Sequence, residues 1–241
     1  MMRRAGWQRP GWPSAVVFDL DGTLIDTATD ILAALNHCMK IAGRPPVSDE
    51  EGRRAIGLGL EGMIETALAA AGGLPDSAQL EKIKQSGVDY YDANLLVHTR
   101  SYPGVPGVLE YLSERGVSMG ICTNKRMSPA LRILSALGLA DYFGIVVARE
   151  SCPQRKPHPE PLRAALRALG AGPEQAVMVG DSLIDVTCAR AAGVAVVVVA
   201  DGYAEVPVGE LAADQVIEHC ADLPRVLDRM FSGRRINEPG A

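Results

Sequence analysis

Ala15-Val16-Val17-Phe18-Asp19-Leu20-Asp21-Gly22-Thr23 opens on four apolar residues and stops at once on a carboxylate. A short, continuous apolar run of this kind is the signature of a strand buried on both faces of a parallel sheet. The residues behind it are polar and turn-forming, with Asp19 and Asp21 two positions apart and Gly22 next. Along an extended chain that spacing sets both carboxylates on one side. There they repel unless a cation lies between them or one holds a proton. The stretch therefore predicts a buried strand that delivers two acids to one end of a sheet.

Four more runs share this look: Val117 to Cys122, Ile145 to Ala148, Ala176 to Val179 and Val194 to Ala200. Helical patterns lie between most of them. Gly107 to Arg115 is one. Ser128-Pro129 opens a second, with Ser as N-cap and Pro at the first helical position, closed by Gly138. Pro159 to Leu169 ends at Gly170, and Ser182 to Ala192 ends at Gly193. Alternating strands and helices mean βαβ units and an α/β, doubly wound parallel sheet.

From Ala28 to Val97 the rhythm breaks, because no strand-like run occurs there. Ile31, Leu35 and Met39, then Leu60, Ile64 and Leu68, then Leu80, Ile83, Val88 and Tyr91 sit at helical spacing. A connection of about 70 residues is too long for a crossover helix and reads as an inserted helical subdomain. The division expected is 15–27 with 98–231 for the α/β core and 28–97 for the helical insertion. Residues 1–14 and 232–241, carrying Gly and Pro without periodicity, are expected as flexible tails.

Composition narrows the function classes. With 24 Lys+Arg against 29 Asp+Glu, the net charge of −5 argues against a nucleic-acid binder or a protein of anionic membrane surfaces. The longest apolar run, Ala191 to Ala200, has ten residues, whereas a bilayer span needs about 20. Met1-Met2-Arg3-Arg4 has no apolar stretch behind it and does not read as a signal peptide. Five widely spaced cysteines without a C-x-x-C pair fit a reducing cytoplasm better than a disulfide framework.

Ligands of open parallel sheets bind outside the carboxyl ends of the strands. The first strand leads into Asp19 and Asp21, the second into Thr123-Asn124-Lys125. The third is followed by Arg155-Lys156-Pro157, and the fourth leads into Gly180-Asp181-Ser182 with Asp185 one turn on. Singly, each has a plain reading: a turn before Gly22, a turn at Thr123, a loop charge at Lys156, a capping box from Ser182 to Asp185. Jointly, they require four strand ends to carry polar groups on one edge by accident. Asp19, Asp21 and Asp181 form an oxygen-rich, sulfur-free set suited to Mg²⁺. Lys156 and the Thr123 hydroxyl are then placed to bind phosphoryl oxygens.

At these residues the chain resembles the haloacid dehalogenase superfamily, and its phosphatases in particular. Asp19-Leu20-Asp21-Gly22-Thr23-Leu24 matches the first motif, Thr123 the second, Lys156 the third, and Gly180 to Asp185 the fourth, G-D-x-x-x-D. The resemblance runs from about residue 15 to 231, and the insertion is similar to the family's small α-helical cap. Ile56-Gly57-Leu58-Gly59-Leu60, Thr99 to Val105 and Thr123-Asn124-Lys125 are similar to phosphoglycolate phosphatases, although Arg126 stands where those enzymes often carry proline.

The resemblance implies Asp19 as nucleophile, Asp21 as acid and base, and Thr123, the Asn124 backbone and Lys156 on the phosphoryl group. It implies Asp185 orienting Lys156, and Mg²⁺ held by Asp19, the Asp21 carbonyl and Asp181. The partner implied is a small phosphorylated metabolite, most similar to 2-phosphoglycolate, acted on by a monomer or homodimer. A β-phosphoglucomutase-type phosphomutase ranks lower, since no arginine of the kind those mutases use follows Gly57-Leu58-Gly59. A dehalogenase is disfavoured by Asp21. A receiver-type signalling domain shares the Asp, Thr and Lys but explains neither the insertion nor G-D-x-x-x-D.

Overall fold

The computed structural model describes residues 12–232. The central sheet consists of β1 (Ala15–Phe18), β4 (Ser118–Cys122), β5 (Ile145–Val147), β6 (Ala176–Gly180), β7 (Ala195–Val199) and β8 (Gln215–Ile217). Its order is β5-β4-β1-β6-β7-β8, and every pairing is parallel. β1 lies in the middle, with Phe18 opposite both Ile121 and Val179. The doubly wound α/β architecture expected from the apolar runs is the one observed.

The alternation of side chains explains why the runs are apolar throughout. Val16 and Phe18 of β1, with Val177, Val179, Val197 and Val199, enter the core on one face. Ala15 and Val17, with Met178, Val196 and Val198, enter the core on the other. The first face is covered by α5 (Val105–Glu114), α6 (Met127–Ala136) and α9 (Leu223–Phe231), through Leu109, Ile133 and Leu227 among others. The second is covered by α7 (Glu160–Leu169) and α8 (Leu183–Ala192), through Leu162, Leu166, Val186 and Ala189. Each fully buried valine or leucine contributes about 1.5–3 kcal/mol. A strand with only one apolar face would leave one helix layer without a partner.

Between β1 and β4 the chain forms β2 (Ile25–Asp26), then α1 (Ala28–Ile41), α2 (Asp49–Ala55), α3 (Leu60–Ala70) and α4 (Ser77–Ala93), then β3 (Arg100–Ser101). β2 and β3 pair antiparallel, so the helical segment leaves and rejoins the core side by side. The helices bury Ile31, Leu35 and Met39 of α1, Met63, Ile64 and Leu68 of α3, and Ile83, Val88 and Tyr91 of α4. Asp30, buried in α1, accepts hydrogen bonds from the His98 and Thr99 amides and the Thr99 hydroxyl at 2.8–3.0 Å. This carboxylate ties the first helix to the returning strand.

Three details differ from the sequence reading. α6 starts at Met127, with Arg126 in the extended conformation before it, so Pro129 sits third in the helix. Its first turn is capped by the Glu150 carboxylate, which accepts from the Met127 amide at 3.0 Å, and the Ser128 hydroxyl makes no capping bond. β8 and α9 extend the sheet and its cover beyond the last strand expected. Of the expected N-terminal tail, Trp12 to Ser14 lie among the described residues. Trp12 packs on Tyr111 with centroids 5.9 Å apart, and the Ser14 amide donates to the Gln175 carbonyl at 2.7 Å. The rest of that tail, and the C-terminal one beyond Ser232, lie outside the described residues.

Candidate active site

The strand ends converge as the sequence reading expects. Asp19 directly follows β1, its amide donating to Val179 O of β6 at 2.8 Å. Asp181 and Ser182 follow β6, Thr123 follows β4, and Lys156 is carried by the loop after β5. Asp19, Asp181 and Asp185 are buried and offer carboxylate oxygens within 4.8 Å of one another. Lys156, 3% exposed, sets its ammonium between two of them, 2.7 Å from Asp185 Oδ1 and 2.8 Å from Asp19 Oδ1. The contact with Asp19 is an ion pair whose angles fall outside those of a hydrogen bond, leaving Asp19 Oδ1 a buried oxygen without a hydrogen-bond donor.

Asp185 is the most fully engaged of the three carboxylates. One oxygen accepts from Lys156, and the other accepts from the Ser182 hydroxyl at 2.7 Å and from the Asp181 and Ser182 amides at 3.2 Å. Ser182 caps α8 in a capping box with Asp185. The helix-capping reading and the site-facing reading of Asp185 therefore both hold, one for each oxygen.

Asp181 accepts from the Thr23 hydroxyl at 2.8 Å and from the Tyr203 amide at 2.7 Å. Two glycines make this approach possible. Gly22 has φ +85°, and a Cβ there would lie 2.2 Å from Asp181 Oδ2. A Cβ on Gly202 would lie 2.2 Å from Asp181 Cβ. Tyr203 also ties the insertion to the site: its hydroxyl accepts from the Thr27 and Ala28 amides at the start of α1 and donates to Asp26.

Three buried carboxylates face one ammonium here, so negative charge is in excess in a medium that solvates it poorly. Burial pushes the Asp19 carboxyl up to about 7, against the opposing charge of Lys156 and with help from Asp185 and Asp21. Burial, then the charges of Asp185 and Asp19, raises the Asp181 carboxyl well above the ordinary 3.8. For Lys156 burial works the other way, but the carboxylates of Asp185 and Asp19 outweigh it and hold the ammonium charged. An all-oxygen donor set with surplus negative charge and an oxygen lacking a donor fits a hard divalent cation such as Mg²⁺.

Asp21 stands apart from this cluster. Its carboxylate accepts from the Thr27 hydroxyl at 2.7 Å and from Lys125 at 2.9 and 3.2 Å. Thus the two acids of the opening motif avoid each other by taking separate ammonium partners, Lys156 for Asp19 and Lys125 for Asp21. Thr123 is buried, and its hydroxyl oxygen accepts from the Lys125 amide at 3.1 Å. Asn124 bridges the two parts of the chain, its amide donating to Gly57 O in the insertion at 2.9 Å and to Lys156 O at 3.1 Å. Its role expected from sequence concerns the backbone, and the side-chain bridge has no sequence signal.

Sequence reasoning also passes over Lys125, Tyr91 and Tyr203 as site residues. A small cavity between core and insertion is lined by Asp21, Tyr91, Lys125, Arg126, Glu61 and Arg149, among others. Around it, Arg126 pairs with Asp92 of α4 at 3.0 Å, Arg149 pairs with Glu61 of α3, and Arg132 donates to Asp92 O at 3.1 Å. Each bond has one member from the core and one from the insertion. Among the described residues, no helix is long and apolar enough to cross a membrane.

The profile of the haloacid dehalogenase-like hydrolases matches residues 16–199. The chain is 37% identical over 212 residues to a phosphoglycolate phosphatase of Caulobacter vibrioides, covering 88% of this chain and 90% of that one. It is 39% identical over 216 residues to a phosphoglycolate phosphatase of Rhodospirillum rubrum, covering 88% and 89%. The crystal structure of a predicted phosphoglycolate phosphatase from Haemophilus somnus superposes with a TM-score of 0.83 at 30% identity, covering 88% of this chain and 97% of that one. These similarities bear out the resemblance read from the motifs and the enzyme class, a phosphoric monoester hydrolase. On the extent of the profile match and on these relatives, the chain belongs to the haloacid dehalogenase-like hydrolase family.

Proposed function

We propose that this phosphatase hydrolyses 2-phosphoglycolate to glycolate and inorganic phosphate through an aspartyl-phosphate on Asp19. The observation that carries the chemistry is the buried Asp19 oxygen with no hydrogen-bond donor, beside the Lys156 ammonium and facing two further carboxylates. The names of the relatives support the substrate.

In the first displacement an Asp19 oxygen attacks phosphorus and the bond to the leaving oxygen breaks. Asp21 supplies the proton that makes the leaving group an alcohol. In the second, water attacks phosphorus, its proton passes to Asp21, and the Asp19 oxygen–phosphorus bond breaks. Lys156 and the Thr123 hydroxyl bind phosphoryl oxygens as their charge spreads in the transition state. Asp185 holds Lys156 in place and keeps it charged. Asp19, Asp181 and the Asp21 backbone carbonyl hold Mg²⁺, which when bound screens the charge between nucleophile and phosphoryl group. The core is 15–27 with 98–231. Segment 28–97 is a cap that excludes water and selects the leaving group.

The test is phosphate release from 2-phosphoglycolate and about thirty other phosphate esters, compared as kcat/KM. The highest value is expected for 2-phosphoglycolate, with activity lost in EDTA and restored by Mg²⁺. Acid quench during turnover is expected to trap phosphate on Asp19, located by mass spectrometry. Turnover that survives thorough chelation would remove the case for Asp181 as a ligand, and a better substrate in the panel would replace the one proposed.

A further inference from the structure

Lys125 is the one buried cation of the site that the proposed chemistry leaves without a task. Its side chain is 5% exposed, and its ammonium donates to both oxygens of Asp21 and to the Tyr91 hydroxyl at 2.7 Å. It also lies 4.7 Å from the centre of the Tyr91 ring, over its face. Tyr91 belongs to α4 of the insertion, is itself buried, and has its phenol pushed up to about 12 by burial, so it is a neutral hydroxyl at working pH. Asp21, Lys125 and Tyr91 all line the small cavity between core and insertion.

A single neutralising contact would satisfy the half-buried Asp21 charge, and Thr27 already supplies one hydrogen bond to it. The observed arrangement does more. Two residues, Asp21 through both its oxygens and Tyr91 through its hydroxyl, hold one ammonium from the core and from the insertion, so neither the Lys125 stem nor the Asp21 carboxylate is free to rotate. We propose that Lys125 is the positioning residue of Asp21, and that Tyr91 fixes Lys125 from the insertion. The proton donor for the leaving oxygen is thereby set in place by both parts of the molecule at once. Lys125 touches no reacting atom and acts only through Asp21. The inference rests on the reading of Asp21 as acid and base, and it adds that this acid is incomplete without α4.

Proton donation matters most when the departing oxygen is strongly basic. An acid held in line therefore speeds esters of weak acids more than esters of strong ones. A residue that merely neutralised or packed would affect both alike. Phenyl phosphate and 4-nitrophenyl phosphate form a suitable pair, since they are nearly the same shape and phenol is the weaker acid. Lys125→Met, Tyr91→Phe, the double variant and Asp21→Asn are compared on both esters with Mg²⁺, after circular dichroism has checked folding.

Lys125→Met is expected to lower kcat/KM for phenyl phosphate about tenfold more than for 4-nitrophenyl phosphate. Tyr91→Phe, which removes one oxygen, is expected to shift the ratio the same way by about two- to threefold. The double variant is expected to match Lys125→Met, because the two residues act as one unit. Equal losses on both esters in Lys125→Met and Tyr91→Phe, with a selective loss in Asp21→Asn, overturn the proposal and leave the role of Asp21 standing. Equal losses in Asp21→Asn as well overturn that role, and the proposal with it. If Lys125→Met fails to fold, the Tyr91→Phe ratio decides.

Discussion

Lys156 and Lys125 are both buried ammonium groups, each set against an aspartate of the loop that follows β1, yet they are held in different ways. Lys156 has Asp19 and Asp185 for partners, and all three side chains come from the α/β core. Lys125 has Asp21 from the core and Tyr91 from the insertion. The same division runs through their surroundings. Asp181 is fixed by Thr23 and Tyr203, both of the core. The ion pairs on the Lys125 side, Arg126 with Asp92 and Arg149 with Glu61, join the core to α4 and α3. One half of the site draws its side chains from the core alone and, on the proposed function, serves the group every substrate shares, the phosphoryl. The other half joins core to insertion around the small cavity between them and, on the proposed function, faces the part in which substrates differ.

Replacing Asp19, the proposed nucleophile, strikes the first half hardest. Asp19→Asn is expected to lower kcat by at least about a thousandfold, since an amide does not form the acyl phosphate. The variant is expected to fold, with a melting temperature in chelator at pH 8 no lower than the parent's, because it removes one of three mutually repelling carboxylates. Near-parental activity would end the mechanism.

Lys156→Ala is expected to cost kcat about a hundredfold and to change KM less, as loss of transition-state charge stabilisation does. Because Asp185 spends one oxygen on Lys156, Asp185→Ala is expected to lower kcat as well. The double variant is then expected to cost little more than Lys156→Ala alone. If Asp185 served only as the cap of α8, Asp185→Ala would cost about 1 kcal/mol of stability and leave kcat intact. Melting temperature and kcat measured on the same four proteins separate the two outcomes.

On the second half the effects are smaller and of another kind. Arg126 and Asp92 are partly exposed, and pairs of this sort contribute about 0.2–1 kcal/mol. Asp92→Ala is expected to raise KM about two- to fivefold and to leave the inhibition constant of inorganic phosphate unchanged. A parallel shift of both constants would show that the two halves are not separable.

The smallest effect concerns stability without metal. Asp19, raised to about 7, and Asp181, also raised, keep protons in the folded chain that the unfolded chain has released above the ordinary 3.8. The folded state binds more protons in this range, so stability in chelator falls as pH climbs from about 4 through 7. Melting temperature in EDTA is expected to drop by a few degrees between pH 5.5 and pH 8. Mg²⁺ favours the ionised carboxylates and is expected to shrink the drop, as is Asp19→Asn. A melting temperature that rises over this interval would contradict the charge balance described here.

The halves also differ in how far the sequence reveals them. The acids around Lys156 sit at, or one helical turn beyond, a strand end that an apolar run announces: Asp19 after Val16 to Phe18, and Asp181 and then Asp185 after Ala176 to Val179. Position along the chain is enough to bring them together. Lys125 also follows a strand, and its contact with Asp21, 104 residues away, joins the ends of the neighbouring strands β4 and β1, but it meets Tyr91, 34 residues away, only through the docking of α4 on the core, which no local pattern encodes. Tyr203 is hidden for the same reason, reaching back 176 residues to cap α1. In the fold, β8 goes unread because two of its three residues are exposed and it lies at the sheet edge. The start of α6 is misread because its cap comes from Glu150, 23 residues on, and not from the Ser-Pro pair beside it.

The short ribbon of β2 and β3 has a consequence for exchange of parts. Ile25-Asp26 lies alongside Arg100-Ser101, so the core receives the whole helical segment as if it were a single hairpin loop. Closing a longer loop costs only about 0.6 kcal/mol for each doubling of its length. The segment between these two strands can accordingly be lengthened, shortened or replaced by an unrelated one while the sheet and the acids around Lys156, held by core side chains alone, keep their places. A graft across Asp26 and Arg100 is therefore the natural joint at which to exchange the helical segment and, on the proposed function, the leaving-group pocket it forms.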